Sequence, residues 1–527
     1  MTDTVETPTR RFDPVELEIL WQSLISTVNE QARALQRAAF SPIVREAGDL
    51  ANAVFDRRGR MVAQAVTGTP GHINSLAIGA ANILAEYPID TLEPGDVLIT
   101  NDPYKTAGQL LDVTVLVPAW RNGRVIALFG STIHHTDVGG YGIGAGGRDC
   151  FEEGLWIPIC KLMKRGQRND DVWKFILSNV RQPDHMAGDL HAQMASGEVG
   201  AQRLTALCDQ HRLDDIESLA DEIIERSEAA TRASIRALPA GRHDASAVLD
   251  LADGSRIDIV CSVQVDPEAG EITVDYAGSS PASPWGINVV KNYTHAYTTF
   301  TVRSVLNPDI PNNHGSLAPI KVEAPEGSIV NAVRPQPGTA RHVVGMFLPN
   351  ALLKALAQIA PEQAMAEGSG AVWTMQVNGS YDDGSPFITA MFTYAGGVGA
   401  RAHKPGLDAC SYPTGVAAVP IEVVEASAPV RFRRKALRPG SGGRGMQTGG
   451  LGQTIEFTVD TTRPWQLNAV TSRLAHAPQG IFGGDSGEAG RFSVNGEAVT
   501  TQARITLRPD DVVRLELPGG GGYGATN

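Results

Sequence analysis

The run VTVLVPAWRNGRVIALFGSTI (113–133) decides how this chain is read. Its two halves are dense in β-branched and apolar residues. Between them lies Arg121-Asn122-Gly123, a turn signal in which Asn and Gly tolerate positive φ, so the run is a β-hairpin. DVLIT (96–100) reads as a further strand just before it. Antiparallel pairing of the hairpin strands brings residue 112, at the entry of one, beside residue 134, at the exit of the other.

Chemically capable side chains collect at these strand ends. NDPY (101–104) puts Asp102 after the first strand, LLDVT (110–114) puts Asp112 before the second, and HHTDVGG (134–140) puts His134, His135 and Asp137 after the third. Each alone is an ordinary cap or turn former, but convergent ionisable groups mark function. An Asp-His pair on neighbouring strand ends offers O and N ligands to a divalent metal with open positions. It equally describes a His held in one tautomer by a carboxylate and used as a general base. Gly139, Gly140, Gly142, Gly144, Gly146 and Gly147 follow, so backbone can approach a ligand closely. Strand-end loops tolerate substitution, so Asp112→Asn is expected to leave the fold intact. His72 opens a helical stretch, HINSLAIGAANILAEY (72–87), where it caps or faces an anion.

These motifs, with DLANAVFDRRGRMVAQ (49–64), GHINSL (71–76), EEGLWIP (152–158), NVRQPDHMAGDLHAQ (179–193), SGGRGMQTGGLG (441–452) and LPGGGGYG (517–524), run nearly the length of the chain. Together they resemble the B-type chain of the hydantoinase B/oxoprolinase family. The resemblance implies a subunit of an ATP-dependent enzyme that works with a separate A-type ATPase subunit. That partner binds ATP and phosphorylates an amide or enolate oxygen, while this chain holds the substrate. It further implies a reaction centre at Asp112 and His134, with His72, Asp102, His135 and Asp137 as candidate catalytic groups. Hydrolysis of a cyclic amide, carboxylation of a ketone, and a non-catalytic scaffold all remain open, and length favours hydrolysis. In the metal-bearing relatives the ligand positions fall here on Gln109, Asp112 and His134, for a divalent ion such as zinc or manganese. The usual His is replaced by Gln109, a neutral and weaker ligand.

Composition suits a large enzyme subunit of about three domains. The 45 Lys and Arg against 58 Asp and Glu give a net charge of −13, without a basic run, which argues against nucleic acid or an anionic membrane as partner. Apolar stretches are strand-sized and the first residues lack a secretory h-region, so a cytoplasmic location is expected. Five scattered cysteines, without C-x-x-C, read as reduced thiols, and Cys150 alone sits where a nucleophile is conceivable.

The fold class expected is α+β: large multi-layer mixed sheets and helices with a β-rich, Gly-rich C-terminal part. A leader spans 1–12, an N-terminal α+β domain with the site 13–240, a central α+β domain 241–419 and a β-rich domain 420–527. Asp13-Pro14-x-Glu16 starts an amphipathic helix reaching about Ala39, and 213–238 is a solvated helical connector. A strand meander follows from about 244. Asn288, His295, Asn313, His314, Arg341 and His342 are possible pocket residues. The segments IEVVEA (421–426) and VRFRRKAL (430–437) begin the C-terminal strands. No phosphate-cradling, G-x-S-x-G or H-E-x-x-H motif occurs, so the chain has no nucleotide site of its own.

Overall fold

The computed structural model describes residues 11–66, 69–370 and 372–526. Most of the expected leader lies outside these, and Phe12, at its end, is already buried in the core. The helix Pro14–Ala38 begins where the Asp13 carboxylate accepts from Val15 N at 3.0 Å and Glu16 N at 3.1 Å. Its buried stripe includes Leu17, Leu20, Leu24, Val28 and Leu35.

Among the described residues the strands form four sheets. The first is antiparallel and joins β1 (Leu50–Phe55), β2 (Met61–Gln64), β3 (Val97–Thr100), β4 (Asp112–Arg121), β5 (Arg124–His134), β6 (Cys160–Lys164) and β7 (Gln167–Arg168) in the order β2-β1-β5-β4-β3-β6-β7. The hairpin turn carries Asn122 at φ 50° and Gly123 at φ 76°, the twist that antiparallel strands need. Its register sets Asp112 directly opposite His134.

The long helix Pro183–His211 packs against this sheet, an element that the sequence does not announce. Glycines set its distance: a side chain on Gly197 would run into Val117, and one on Gly200 into Phe129. The connector helix Glu217–Arg236 is wetted on one face only, since Leu219, Ile223, Ile224 and Ile235 are buried.

The second sheet holds the expected meander β8 (Gly241–Asp250), β9 (Arg256–Asp266) and β10 (Glu271–Asp275), extended by β11 (Ile320–Glu323) parallel to β10. The third pairs β12 (Trp373–Ser380) and β13 (Pro386–Tyr394) with later strands. The fourth begins with β14 (Val430–Leu437) and β15 (Gln453–Val459). β16 (Trp465–Val470) returns to the third sheet beside β12. β17 (Arg491–Val494) and β18 (Glu497–Ala498) belong to the fourth, β19 (Ile505–Leu507) to the third, and β20 (Val513–Glu516) to the fourth. A boundary at residue 420 would therefore cut through a sheet. The segment 421–426 is a helix, Ile421–Ser427, not a strand. It follows Pro420, buries Val424 alone, and packs against β13 and β14 instead of pairing with them.

Around residues 396–406, 442–452 and 519–524, glycine backbones stack directly on one another. Gly397 N donates to Pro518 O at 2.9 Å, Gly450 N to Val398 O at 2.9 Å, Gly520 N to Gly450 O at 2.9 Å and Gly443 N to Gly520 O at 2.8 Å. Side chains are absent because there is no room: a Cβ on Gly397 would overlap the Gly450 carbonyl. Among the described residues no helix is long and apolar enough to cross a membrane, and the five cysteines are unbridged.

Candidate active site

Asp112 is wholly buried and acts as a hub. Its Oδ1 accepts from Gln109 Nε2 at 2.7 Å and faces His134 Nδ1 at 3.0 Å. Its Oδ2 meets His72 Nε2 at 2.9 Å and forms an ion pair with the Arg341 guanidinium. Gln109 Nε2 also lies 3.0 Å from His134 Nδ1. The other nitrogen of His72, Nδ1, is 3.3 Å from Asp49 Oδ1. Arg341 donates through Nε to Ala107 O at 2.6 Å, and its guanidinium lies 3.9 Å from the centre of the Tyr293 ring.

These groups come from separate elements. Gln109 and Asp112 lead into β4, His134 ends β5, His72 sits in the first turn of the helix Pro70–Glu86, Tyr293 in the helix Lys291–Leu306, and Arg341 just before the helix His342–Gly345. They wall a cavity that also takes in Asp49, His342 and Thr374. Asp112 itself lies behind that wall, as the group that orients the donors lining it.

Electrostatics follow from this packing. Burial opposes the charge on Asp112, yet Arg341 and His72 hold its carboxyl well below the usual carboxylate range. Burial likewise opposes a charged His72, but Asp112 and Asp49 outweigh it and raise its pKa. With both ring nitrogens facing carboxylates, His72 is placed as an imidazolium. His342 is pushed down to about 3 by burial and by Arg341, so its imidazole is neutral.

The remaining sequence candidates stand apart. His135, one residue beyond His134, faces the other side, where burial lowers its pKa near Asp189 and Gln193. Asp137 clamps Arg181 through its Nη1 at 2.7 Å and its backbone N. Asp102 accepts from Tyr104 N at 2.9 Å and shapes a turn. None of these three lines the cavity. Asn288 staples its own loop by donating to Ser283 O, Trp285 O and Pro337 O, while Asn313 caps the helix His314–Leu317. Burial and Glu153 push the Cys150 thiol up, against the needs of a nucleophile. Asp49 and Tyr293, which the sequence reading gave no part in the site, reach it from the first hairpin and a distant helix; Asp49 opens the motif DLANAVFDRRGRMVAQ, and no motif contains Tyr293.

The donor set fits a hard divalent ion, weakly. Gln109 Nε2, Asp112 Oδ1 and His134 Nδ1 lie 2.7–3.0 Å from one another as hydrogen-bonded groups, and an ion here would need the Gln109 amide turned so that its oxygen, not its N–H, faces in. Gln109, however, turns its N–H toward Asp112, and Arg341 already balances that carboxylate. Among the described residues no three His, Cys, Asp or Glu side chains are spaced to hold a metal; the third donor here is an amide.

Beside the cavity, buried Glu153 accepts from Gly338 N and Thr339 N, each at 2.7 Å. Burial pushes its pKa up to about 7, against the pull of those amides. Between the ordinary carboxyl value and about 7, the unfolded chain is ionised while the folded one keeps its proton. Stability therefore falls as pH rises through that window, by about 3 kcal/mol. Glu153→Gln retains the accepting oxygen and removes the titration, so its thermal midpoint should decline less than the wild type's between pH 5 and 8. Parallel curves for the two proteins would refute this.

The chain is 30% identical to a protein from Pseudomonas sp. (strain NS671) that is provisionally named as the B-type chain of a D-/L-hydantoinase, over 99% of this chain and 91% of that one. Its fold matches the crystal structure of the ATP-dependent caprolactamase from Pseudomonas jessenii with a TM-score of 0.90 and 25% identity, over 98% of this chain and 92% of that chain. It also matches nucleotide-free acetone carboxylase with a TM-score of 0.87 and 17% identity, over 97% and 76%; at that identity the likeness is one of fold. The family model of Hydantoinase B/oxoprolinase matches residues 13–526, and the chain belongs to that family.

Proposed function

We propose that this chain is the substrate-holding subunit of an ATP-dependent cyclic-amide hydrolase and works with a separate A-type ATPase subunit. The observation that carries this reading is the buried Asp112 hub, which aims His72, His134, Gln109 and Arg341 at one cavity. The provisional hydantoinase relative and the ATP-dependent caprolactamase support it.

In this reading the partner phosphorylates the amide oxygen, which makes the ring carbon a good electrophile. Arg341 faces the negative charge of the phosphoryl group; water adds to the ring carbon, cleavage of the C–N bond leaves an acyl phosphate, and a second water releases phosphate from it. His134, its Nδ1 fixed by Asp112, takes the proton from water and returns it to the ring nitrogen as the C–N bond breaks, while His72, with its ring nitrogens turned to Asp112 and Asp49, holds the Asp112 carboxylate in place. A divalent ion held by Asp112, His134 and the Gln109 carbonyl would supply Lewis-acid polarisation at the same place.

The test is to co-express the chain with an A-type subunit and supply ATP with hydantoin, 5-oxoproline or caprolactam. Ring opening coupled to ADP release, lost in His134→Ala, is expected. Carboxylation of a ketone instead would move the chain to the carboxylase reading. Undiminished turnover in His134→Ala would make it a scaffold. Gln109→His restores an imidazole three residues before Asp112. After dialysis against a mild chelator, elemental analysis should then find more metal in the variant than in the wild type. Equal, near-stoichiometric metal in both would place residue 109 outside the coordination sphere.

A further inference from the structure

A second cavity, of about 580 Å³, lies beside the first. Alternate residues of β12 floor both: Thr374 faces the first, Gln376 and Asn378 the second. The glycine-rich loop stands between them, with Tyr141 on the second cavity and Ile143 on the first. We propose that this second cavity binds an oxyanion, a phosphate or a carboxylate, through Arg504 and Gln376, at a site separate from the Asp112 hub.

Arg504 carries a charge that no carboxylate among the described residues balances. Arg504 donates through Nε to Asn468 Oδ1 at 2.9 Å and through Nη2 to Tyr141 O, and its guanidinium lies 4.5 Å from the centre of the Tyr141 ring. Among the described residues it has no carboxylate partner. Arg181, the other arginine of the cavity, is paired with Asp137. The cavity thus keeps one guanidinium satisfied only by neutral oxygens, whose charge is left for a ligand.

That guanidinium also dictates the amides around it. A guanidinium only donates, so Asn468 must turn its oxygen to Arg504 and its Nδ2 away. Asn468 Nδ2 accordingly donates to Gln376 Oε1 at 3.2 Å. Gln376 Nε2 is then left as a buried donor without a protein partner, on a side chain only 1% exposed. A neighbouring cross-strand pair, Asn378 Nδ2 to Gln466 Oε1 at 2.9 Å, carries no such constraint and can reverse to present Asn378 Nδ2 instead. Gln182 Oε1, also on this wall and unpartnered, turns as easily. An unbalanced cation beside an orphaned amide donor calls for a negatively charged oxygen.

The proposal is tested by titrating the full-length chain in a calorimeter with inorganic phosphate and, separately, with acetate, using chloride at equal ionic strength as the reference. Saturable binding of at least one is expected, and which one binds names the ligand class. Arg504→Gln should weaken it by about tenfold or more, and Arg504→Lys, which keeps the charge, by less. Gln376→Leu leaves Arg504 in place and should also weaken binding, so the test survives if Arg504→Gln loosens the loop. His134→Ala should leave the affinity unchanged. No saturable binding to the wild type, undiminished affinity in both Arg504→Gln and Gln376→Leu, or loss of affinity in His134→Ala would each overturn the proposal.

Discussion

Gly397→Ala is expected to leave little soluble, folded protein. The added methyl would overlap the Gly450 carbonyl and stand 2.6 Å from Gly520 N, so backbone rather than a movable side-chain tip would have to yield. Yielding breaks bonds on several sides, since Gly397 N, Gly450 N and Gly520 N are all donating within the same stack. A clash of this kind belongs with the exceptional substitutions, costing more than about 4 kcal/mol. Gly368→Ala is the control: it lies in the same region, and a Cβ there meets its nearest neighbours at 3.5 Å. Soluble yield and thermal midpoint are the measurements, with Gly368→Ala near the wild type. A Gly397→Ala protein melting within a few degrees of wild type would sink the idea.

Asp112→Asn should cost both turnover and stability. Strand-end placement alone suggested that the fold would tolerate this change, but the carboxylate is wholly buried and is the counter-ion of a buried guanidinium. Removing one partner of such a pair leaves the other charge uncompensated, at about 3–5 kcal/mol. Combining it with Arg341→Gln removes the stranded charge, so the double variant should be more stable than Asp112→Asn alone while remaining inactive. The stability arm needs no knowledge of the substrate. A double variant that melts below Asp112→Asn would show that Arg341 is held by something other than this ion pair.

What the sequence revealed, and what it hid, divides along the range of the forces involved. The hairpin over residues 113–133 was legible because strand propensity and an Asn-Gly turn are local properties, and its register followed with Asp112 opposite His134. The helix Pro183–His211 was hidden because its buried face relies on Gly197 and Gly200, small residues that carry no apolar period. The helix Ile421–Ser427 was misread because a short segment with apolar residues at 421, 423, 424 and 426 fits one helical turn and a half as well as it fits a strand. At the site, His72, Gln109, Asp112 and His134 stood in recognisable motifs. Tyr293 did not, and Asp49, though it opens the motif DLANAVFDRRGRMVAQ, was given no role, since only tertiary packing brings the first hairpin and the helix Lys291–Leu306 to the hub. Arg341 could be suspected but not assigned, because its ion pair joins residues far apart in the chain.

The third sheet and the glycine stack also constrain how the chain is made. β12 pairs with β16, and Gly397 bonds to Pro518, a partner that leaves the ribosome far later. At ordinary rates of synthesis that gap lasts on the order of ten seconds. Through that interval a strand edge and a glycine-rich ribbon emerge without their later partners, while the N-terminal sheet already has all its strands. The first sheet can thus close during translation, whereas the C-terminal half must wait for nearly the whole chain. Slow codons or a bound chaperone over residues 373–400 would therefore affect yield more than the same delay placed early.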